Sequence, residues 1–406
     1  MATKRLHVCF PVNTLIFGGA ERQLLELVKG LDTTRFKPYV VTLYPGGPLE
    51  EELAAKPEVE LRSLDRKGKY DFGVLFKLVR LLRRERIDIV QPFLTPASFF
   101  GLTAALLAGT PIKIVTERSG VRKRQHMGYR LYRFTEDRLT AIADAAVPNS
   151  QAGREFLLER GIAPSKIRVI YNGINEDRLR WDPAAVAEIR QRLNVPPDGY
   201  VIGTVASLSP QKDHLTLLKA VVRIKRRVPG VRVALVGDGP LRGELESAVK
   251  ELGLEGHVAF FGNQHQVANY LAALDLAVLP SVDHEGCSNF LLESMFLGKA
   301  VVATDIGGNR EVVTTEENGL LVPPRNPAAM AAAVVELLTD GTRRQRMGAR
   351  GMAMVKARFS LPGMVKQYED LYLELARKKG LLVPVDDKNP VSGGEHRHEP
   401  STADGA

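Results

Sequence analysis

The sequence predicts an α/β protein built from two doubly wound domains in tandem. Short apolar runs alternate with amphipathic segments along almost the whole chain, the pattern of buried parallel strands joined by helices. The alternation pauses over residues 174–198, where Asp182-Pro183 and Pro196-Pro197 fall, and then restarts. The chain has 406 residues and is 44% hydrophobic, enough for two cores of about 150–200 residues each. Residues 1–175 are assigned to the first domain and 198–360 to the second.

The first strand is Leu6 to Val12. It leads through Gly18-Gly19 into an amphipathic helix ending near Gly30. A glycine pair between strand and helix lets backbone approach a ligand, and a tight structural turn reads equally well. Strands follow at Pro38–Tyr44, Glu60–Leu64, Ile87–Phe93, Ile112–Thr116 and Ala145–Ser150. Phe72 to Glu85 is predicted helical, with Lys77, Arg80, Arg83, Arg84 and Arg86 opposite its apolar face. Gln151 to Arg160 is a helix closed by Gly161. Gly120 to Arg138, rich in arginine and aromatic residues and containing His126, is read as part of an acceptor cleft or as a plain basic helix.

The second half repeats the pattern. Val201–Val205 runs into ASLSPQK, placing Lys212 beside a helix start, where a cation can neutralise a diphosphate leaving group. Val231–Val236 enters Gly237-Asp238-Gly239-Pro240, a turn in which Asp238 is a candidate N-cap. Val258–Gly262 is a further strand. Helices are predicted at 327–338, 343–357 and 361–379. Residues 384–406 are polar and are expected to be disordered.

The stretch from Glu285 to Glu311 carries the chemistry. A buried strand, Asp275–Pro280, precedes a polar loop. A helix from Asn289 to Leu297, closed by Gly298, and a strand at Ala300–Ala303 follow. The loop therefore lies at the carboxyl end of a parallel strand, where open α/β sheets bind ligands. Glu285 and Glu293 stand on either side of a helix N-terminus. A carboxylate accepts hydrogen bonds from both hydroxyls of a vicinal diol, and the free amides of a helix start attract phosphate. Two diol readers around a phosphate cradle suit a nucleotide-sugar. Two ordinary surface acids are the competing reading of the spacing.

The E-x7-E pattern of Glu285 and Glu293, with VIYNGIN at 169–175 and ENGLLVP at 317–323, resembles the signature of retaining glycosyltransferases of family 4 (glycosyl transferases group 1). The resemblance spans nearly all of residues 6–378. It implies the GT-B fold: two Rossmann-like domains facing across a cleft, with a C-terminal helix, 361–380, crossing back to the first. It implies that Glu293 holds the donor ribose and Glu285 the transferred sugar. Backbone amides of Gly286, Cys287 and Ser288, with Asn289 at the helix start, line the sugar pocket. Gly18 and Gly19 match a GGxE-type loop facing the donor phosphates, and Glu21 completes it. Lys212 matches the diphosphate-holding lysine, Gly237 the nucleotide loop, and Phe261 with Gly262 the strand beside the base. The family's arginine before that lysine is replaced by Ser207 or Ser209. Its histidines after the fourth and fifth strands are replaced by Gln91 and Phe93 and by Glu117 and Arg118, so Arg118 is a candidate to share phosphate neutralisation.

The implied activity moves a sugar from a nucleoside-diphosphate sugar to a hydroxyl of a glycan or lipid-linked acceptor, in cell-envelope or exopolysaccharide assembly. It needs no metal and no cofactor beyond the donor. A GT-B nucleotide-sugar epimerase and a non-catalytic nucleotide-sugar or membrane-binding partner are the alternatives. Formal net charge is +9; residues 1–180 hold 30 Lys+Arg against 20 Asp+Glu, so the excess lies in the first half. A one-sided positive field points to an anionic acceptor or membrane surface for that half. No nucleic-acid motif accompanies it. Two cysteines, Cys9 and Cys287, are too few for a disulfide scaffold. With no apolar run long enough to span a bilayer and no signal peptide, the expectation is a cytoplasmic protein, peripheral to the membrane.

Overall fold

The computed structural model describes residues 4–68, 70–118, 137–283 and 285–382. The basic segment centred on His126 and the polar tail at 384–406, both singled out in the sequence, lie outside the described residues.

Among the described residues, twelve strands form two six-stranded parallel sheets. The first contains β1 (Leu6–Val12), β2 (Phe36–Thr42), β3 (Glu60–Ser63), β4 (Ile89–Val90), β5 (Ile112–Glu117) and β6 (Ala145–Pro148). Its strand order is β3-β2-β1-β4-β5-β6. The second contains β7 (Val201–Val205), β8 (Arg232–Val236), β9 (Val258–Gly262), β10 (Leu276–Leu279), β11 (Val301–Thr304) and β12 (Gly319–Val322). Its order, β12-β11-β10-β7-β8-β9, is the same winding repeated. In both, the strand order reverses beside the first strand of the domain, and such a reversal opens a ligand crevice at the carboxyl ends. The central strands are buried on both faces, which is why they read as continuous apolar runs.

Two differences from the sequence reading have local causes. The predicted strand Ile87–Phe93 pairs regularly only at Ile89–Val90, and Phe93 rejoins through an isolated bridge to Val12. Pro92 between them has no N–H to give to a ladder. Asp182-Pro183, read as a boundary signal, instead starts a helix, Pro183–Arg192. The Asp182 carboxylate accepts the Ala184 amide at 2.9 Å and Pro183 occupies the first turn. Ile189 and Leu193 then pack into the core of the second sheet.

The helix Leu361–Lys378 crosses back, as expected. Ser360 caps it through the Gly363 amide at 3.2 Å. Met364, Val365, Tyr368, Leu371, Tyr372, Leu375 and Ala376 join the core built on β1 and β2. Burying side chains of this size contributes about 1.5–3 kcal/mol each. Tyr372 donates to Gln91 Oε1 at 2.5 Å. Gln91, which stands where the family carries histidine, is thus a buried tie to the crossing helix.

Candidate active site

Lys212 and Glu285 meet where the strand order of the second sheet reverses. Lys212 ends the loop after β7 and Glu285 sits in the loop after β10. The ammonium lies 2.6 and 2.8 Å from the two carboxylate oxygens. Lys212 is 19% exposed and Glu285 9%, so the pair is held out of bulk water and is screened little by salt. Local structure fixes the lysine. Pro210–Lys212 is a 3₁₀ turn, and Asp213 follows in the left-handed region at φ +40°. Asp213 tolerates this because its carboxylate caps the helix His214–Ile224, accepting from the Thr216 amide (3.3 Å) and hydroxyl (2.6 Å). The Val282 amide donates to the Gln211 carbonyl at 2.9 Å, pinning the two loops together. His214, directly after this turn, is buried with neither ring nitrogen hydrogen-bonded; burial and then Lys212 push its pKa down to about 4. Ser207 and Ser209, at the position of the family's arginine, lie 3.2 Å from one another.

The Glu285 loop is clamped from both sides. Its carbonyl accepts the Gly308 amide at 2.7 Å. A Cβ on Gly286 would stand 2.4 Å from Asn149 Oδ1 and 3.0 Å from the Arg118 carbonyl, so only glycine admits this approach of the first domain. Cys287 is buried, which raises its thiol to about 12; its carbonyl accepts Asn172 Nδ2 at 2.7 Å. Ser288 caps the helix Asn289–Phe296 through the Leu291 amide at 3.4 Å. Among the described residues, the Asn289 and Phe290 amides bond no protein acceptor, which leaves a helix N-terminus able to bind an anion. One turn on, the half-buried Glu293 carboxyl lies 3.7 Å from Arg178, and desolvation raises its pKa although Arg178 and Arg22 oppose the shift. Arg178 also lies 3.6 Å from Glu26 of the helix Gly19–Gly30.

Across the cleft, the Asn289 side chain donates to the Gly19 carbonyl at 3.1 Å and accepts from Asn172 (2.7 Å) and Gln23 (3.2 Å). A Cβ on Gly18 would meet the Glu21 carboxylate at 2.1 Å, so glycine at this site lets Glu21 fold back beneath the loop. The Arg118 guanidinium binds Asn172 Oδ1 (2.7 Å) and the Tyr368 hydroxyl (3.0 Å), over the Phe93 ring at 5.0 Å. Its reach to the Glu285 loop therefore runs through Asn172. Glu311 accepts the Gln151 and Ala152 amides at 2.7 and 2.9 Å and the Tyr171 hydroxyl at 2.8 Å. A carboxylate at the N-terminus of the helix Gln151–Glu159 is favoured by its dipole.

At the other end of the crevice the Gly237 amide donates to the Gly262 carbonyl at 2.8 Å, joining the loops after β8 and β9. Phe261 packs into the core edge-on against Tyr270 at 5.0 Å, so only its backbone faces this end. Asp238 accepts from its neighbour Gly239 and does not cap the helix Arg242–Glu251, whose N-cap is Leu241. Phe17 and His265 stack edge-to-face across the domains at 4.5 Å. Beyond Glu285, a cavity of about 350 Å³ opens between the domains, lined by Glu117, Asn149, Glu155, Phe156, Arg310 and Glu311 among others.

Sequence reasoning missed Gln23, Arg178 and His265. Asn172 entered it only within the VIYNGIN match and Glu311 only as the end of the Glu285–Glu311 stretch. Single polar residues with partners more than a hundred positions away leave no periodic signal; the one local hint is the run of hydrogen-bonding groups in Tyr171-Asn172-Gly173.

Two facing doubly wound domains, each with its strand reversal at the cleft, define a GT-B protein. The second half, residues 185–354, matches the model of the glycosyl transferases group 1, and residues 17–178 match that of glycosyltransferase family 4. The chain is 33% identical over 369 residues to the lipopolysaccharide core biosynthesis glycosyltransferase LpsD of Rhizobium meliloti, covering 91% of this chain and 98% of LpsD. It is 29% identical over 363 residues to LpsE of the same organism, covering 89% and 96%. Anabaena HepE, solved with UDP-glucose, superposes with a TM-score of 0.80 at 24% identity, over 91% of this chain and 100% of HepE. The chain belongs to the family 4, group 1 glycosyltransferases.

Proposed function

We propose that this glycosyltransferase moves a hexosyl or N-acetylhexosaminyl unit from a nucleoside-diphosphate sugar to a hydroxyl of a glycan or lipid-linked acceptor, with retention. The observation that carries the reading is the Lys212–Glu285 pair beside the uncapped amides of Asn289 and Phe290. In the ligand-free cleft the two charges compensate one another. With donor bound, Lys212 turns to the leaving diphosphate and Glu285 accepts from the hydroxyls of the transferred ring. Glu293, one helical turn along, reads the ribose.

The bond from the anomeric carbon to the diphosphate oxygen breaks as the acceptor oxygen bonds the same face, and the acceptor proton passes to a phosphate oxygen. Lys212 and the helix amides stabilise the departing charge, so turnover is expected to persist in EDTA. The acceptor ring enters the cavity beyond Glu285. Five glutamates and one arginine stand on its walls. That lining accepts hydroxyl hydrogens and repels anions, so the reacting unit is a neutral or amino-bearing polyol. LpsE and LpsD, named for lipopolysaccharide core synthesis, support a cell-envelope role. So do UDP and UDP-glucose bound in HepE for a nucleotide-sugar donor.

A panel of nucleotide-sugars screened by thermal shift identifies the donor, since only a bound ligand raises the melting point. Release of free nucleoside diphosphate is then followed with and without glycoside acceptors. Acceptor-dependent release supports transfer. Interconversion of the nucleotide-sugar without release identifies an epimerase instead.

A further inference from the structure

Three of the glutamates on the walls of the cavity are already engaged. Glu285 pairs with Lys212, Glu311 holds the Gln151 and Ala152 amides and the Tyr171 hydroxyl, and Glu117 lies 3.8 Å from Arg160. Asn149 is different. It directly follows β6 (Ala145–Pro148), at the carboxyl edge of the first sheet, and it lines the cavity while only 5% exposed. Its neighbours decide which end of its carboxamide points where. The Arg118 guanidinium has only N–H groups to offer, so the Asn172 atom it meets at 2.7 Å is the oxygen. Asn172 Nδ2 in turn donates to the Cys287 carbonyl at 2.7 Å, a group that can only accept. The Asn149 atom that meets Asn172 Oδ1 at 3.4 Å is therefore its nitrogen. That leaves Asn149 Oδ1 turned to Gly286, where a Cβ would stand 2.4 Å from it. Among the described residues this oxygen accepts no hydrogen bond. A buried carboxamide oxygen without a donor is costly in the free protein, and an O–H or N–H of a ligand in the cavity would complete it.

We propose that Asn149 Oδ1 positions the acceptor, taking a hydrogen bond from a hydroxyl or amino group vicinal to the attacking hydroxyl. The inference rests on the transferase reading and names a residue for its acceptor side. In that reading the Glu285 loop holds the transferred ring, so a group bonded to Asn149 Oδ1, against Gly286, lies at the seam between the two sugars. A carboxamide oxygen accepts hydrogen bonds but takes no proton at neutral pH, so the attacking hydroxyl itself is not its partner. The bond from the anomeric carbon to the diphosphate oxygen breaks, the attacking oxygen bonds that carbon, and its proton passes to a phosphate oxygen. Asn149 exchanges no proton. It fixes one substituent of the acceptor ring, and the ring's geometry then sets the direction of the next.

The test is acceptor kinetics with the donor found by thermal shift and the p-nitrophenyl glycosides of glucose, mannose and glucosamine as acceptors. Asn149→Ala should lower kcat/KM for the acceptor about 10- to 100-fold, while donor KM and the donor thermal shift match wild type. Asn149→Asp keeps Oδ1 and gives up the N–H that meets Asn172, so it separates the two contacts. It should recover most of the acceptor kcat/KM that Asn149→Ala loses. Wild-type acceptor kinetics in Asn149→Ala would overturn the proposal. Asn149→Asp as impaired as Asn149→Ala would also overturn it, because the tie to Asn172 would then be what matters. So would a donor shift lost in either variant, because the residue would then shape the cleft rather than meet the acceptor. If wild type itself gives no glycoside-dependent release of nucleoside diphosphate, the transferase reading fails and takes this inference with it. If wild type and Asn149→Ala transfer equally well, only the inference fails.

Discussion

Lys212 and Glu285 neutralise each other while the cleft is empty, so removing one strands the other in a poorly solvated site. Lys212→Ala is expected to lower kcat by roughly 10²–10³, the cost of losing a group that stabilises departing charge, while KM for the donor changes less. Steady-state kinetics separates the two. Glu293 has the opposite balance. Burial holds its carboxyl above the usual value, so the folded protein binds its proton more readily than the unfolded chain does. Stability from this group falls as pH rises through that range. Glu293→Gln should therefore raise Tm at neutral pH, with the gain vanishing near pH 4, while donor binding weakens. His214 contributes the reverse slope. Its folded pKa is lowered to about 4 from 6.5, so the unfolded chain binds more protons between those values. Stability is expected to fall by about 2–3 kcal/mol as pH drops through that window. His214→Leu should flatten that part of the profile, as measured by urea titrations at several pH values.

Helix starts and loops do the work of closing the cleft. The N-terminus of the helix Gln151–Glu159 is capped across the domains by Glu311, and that of Asn289–Phe296 faces Gly19 through its own first residue. Glu311→Ala should cost about 1–2 kcal/mol of that contact, read as a more open domain arrangement by small-angle scattering and a higher donor KM. Gly286→Ala should act more sharply, since the added methyl collides with Asn149 while the second domain folds unchanged. At this scale the sequence was most informative. Both halves of the winding and a helix near 361–379 could be read from apolar periodicity, because that signal is local, while the crossing of that helix and the pairing of Glu285 with Glu293 were implied by the family resemblance. The tie of Arg118 to Asn172 and Tyr368 could not be read. Its partners lie 54 and 250 positions away, and nothing near Arg118 marks them. The packing of the Phe261 ring on Tyr270 in the core was likewise not legible, because its partner lies on the next helix and only tertiary packing sets the ring's direction.

At the scale of the molecule, two copies of one winding place their strand reversals face to face, and the last helix of the chain completes the core of the first domain. The arrangement joins the loops at Gly237 and Gly262, a central lysine–carboxylate pair and an acidic cavity along one crevice. The chemistry attributed to it depends on Glu285 and Glu293 gripping the two sugar rings of one donor across its diphosphate. Calorimetric titration of the donor identified by thermal shift, into wild type, Glu285→Gln and Glu293→Gln, tests this most directly. Each substitution should weaken binding roughly 10- to 100-fold, as loss of hydrogen bonds to a charged acceptor requires. Wild-type affinity in both variants would contradict it.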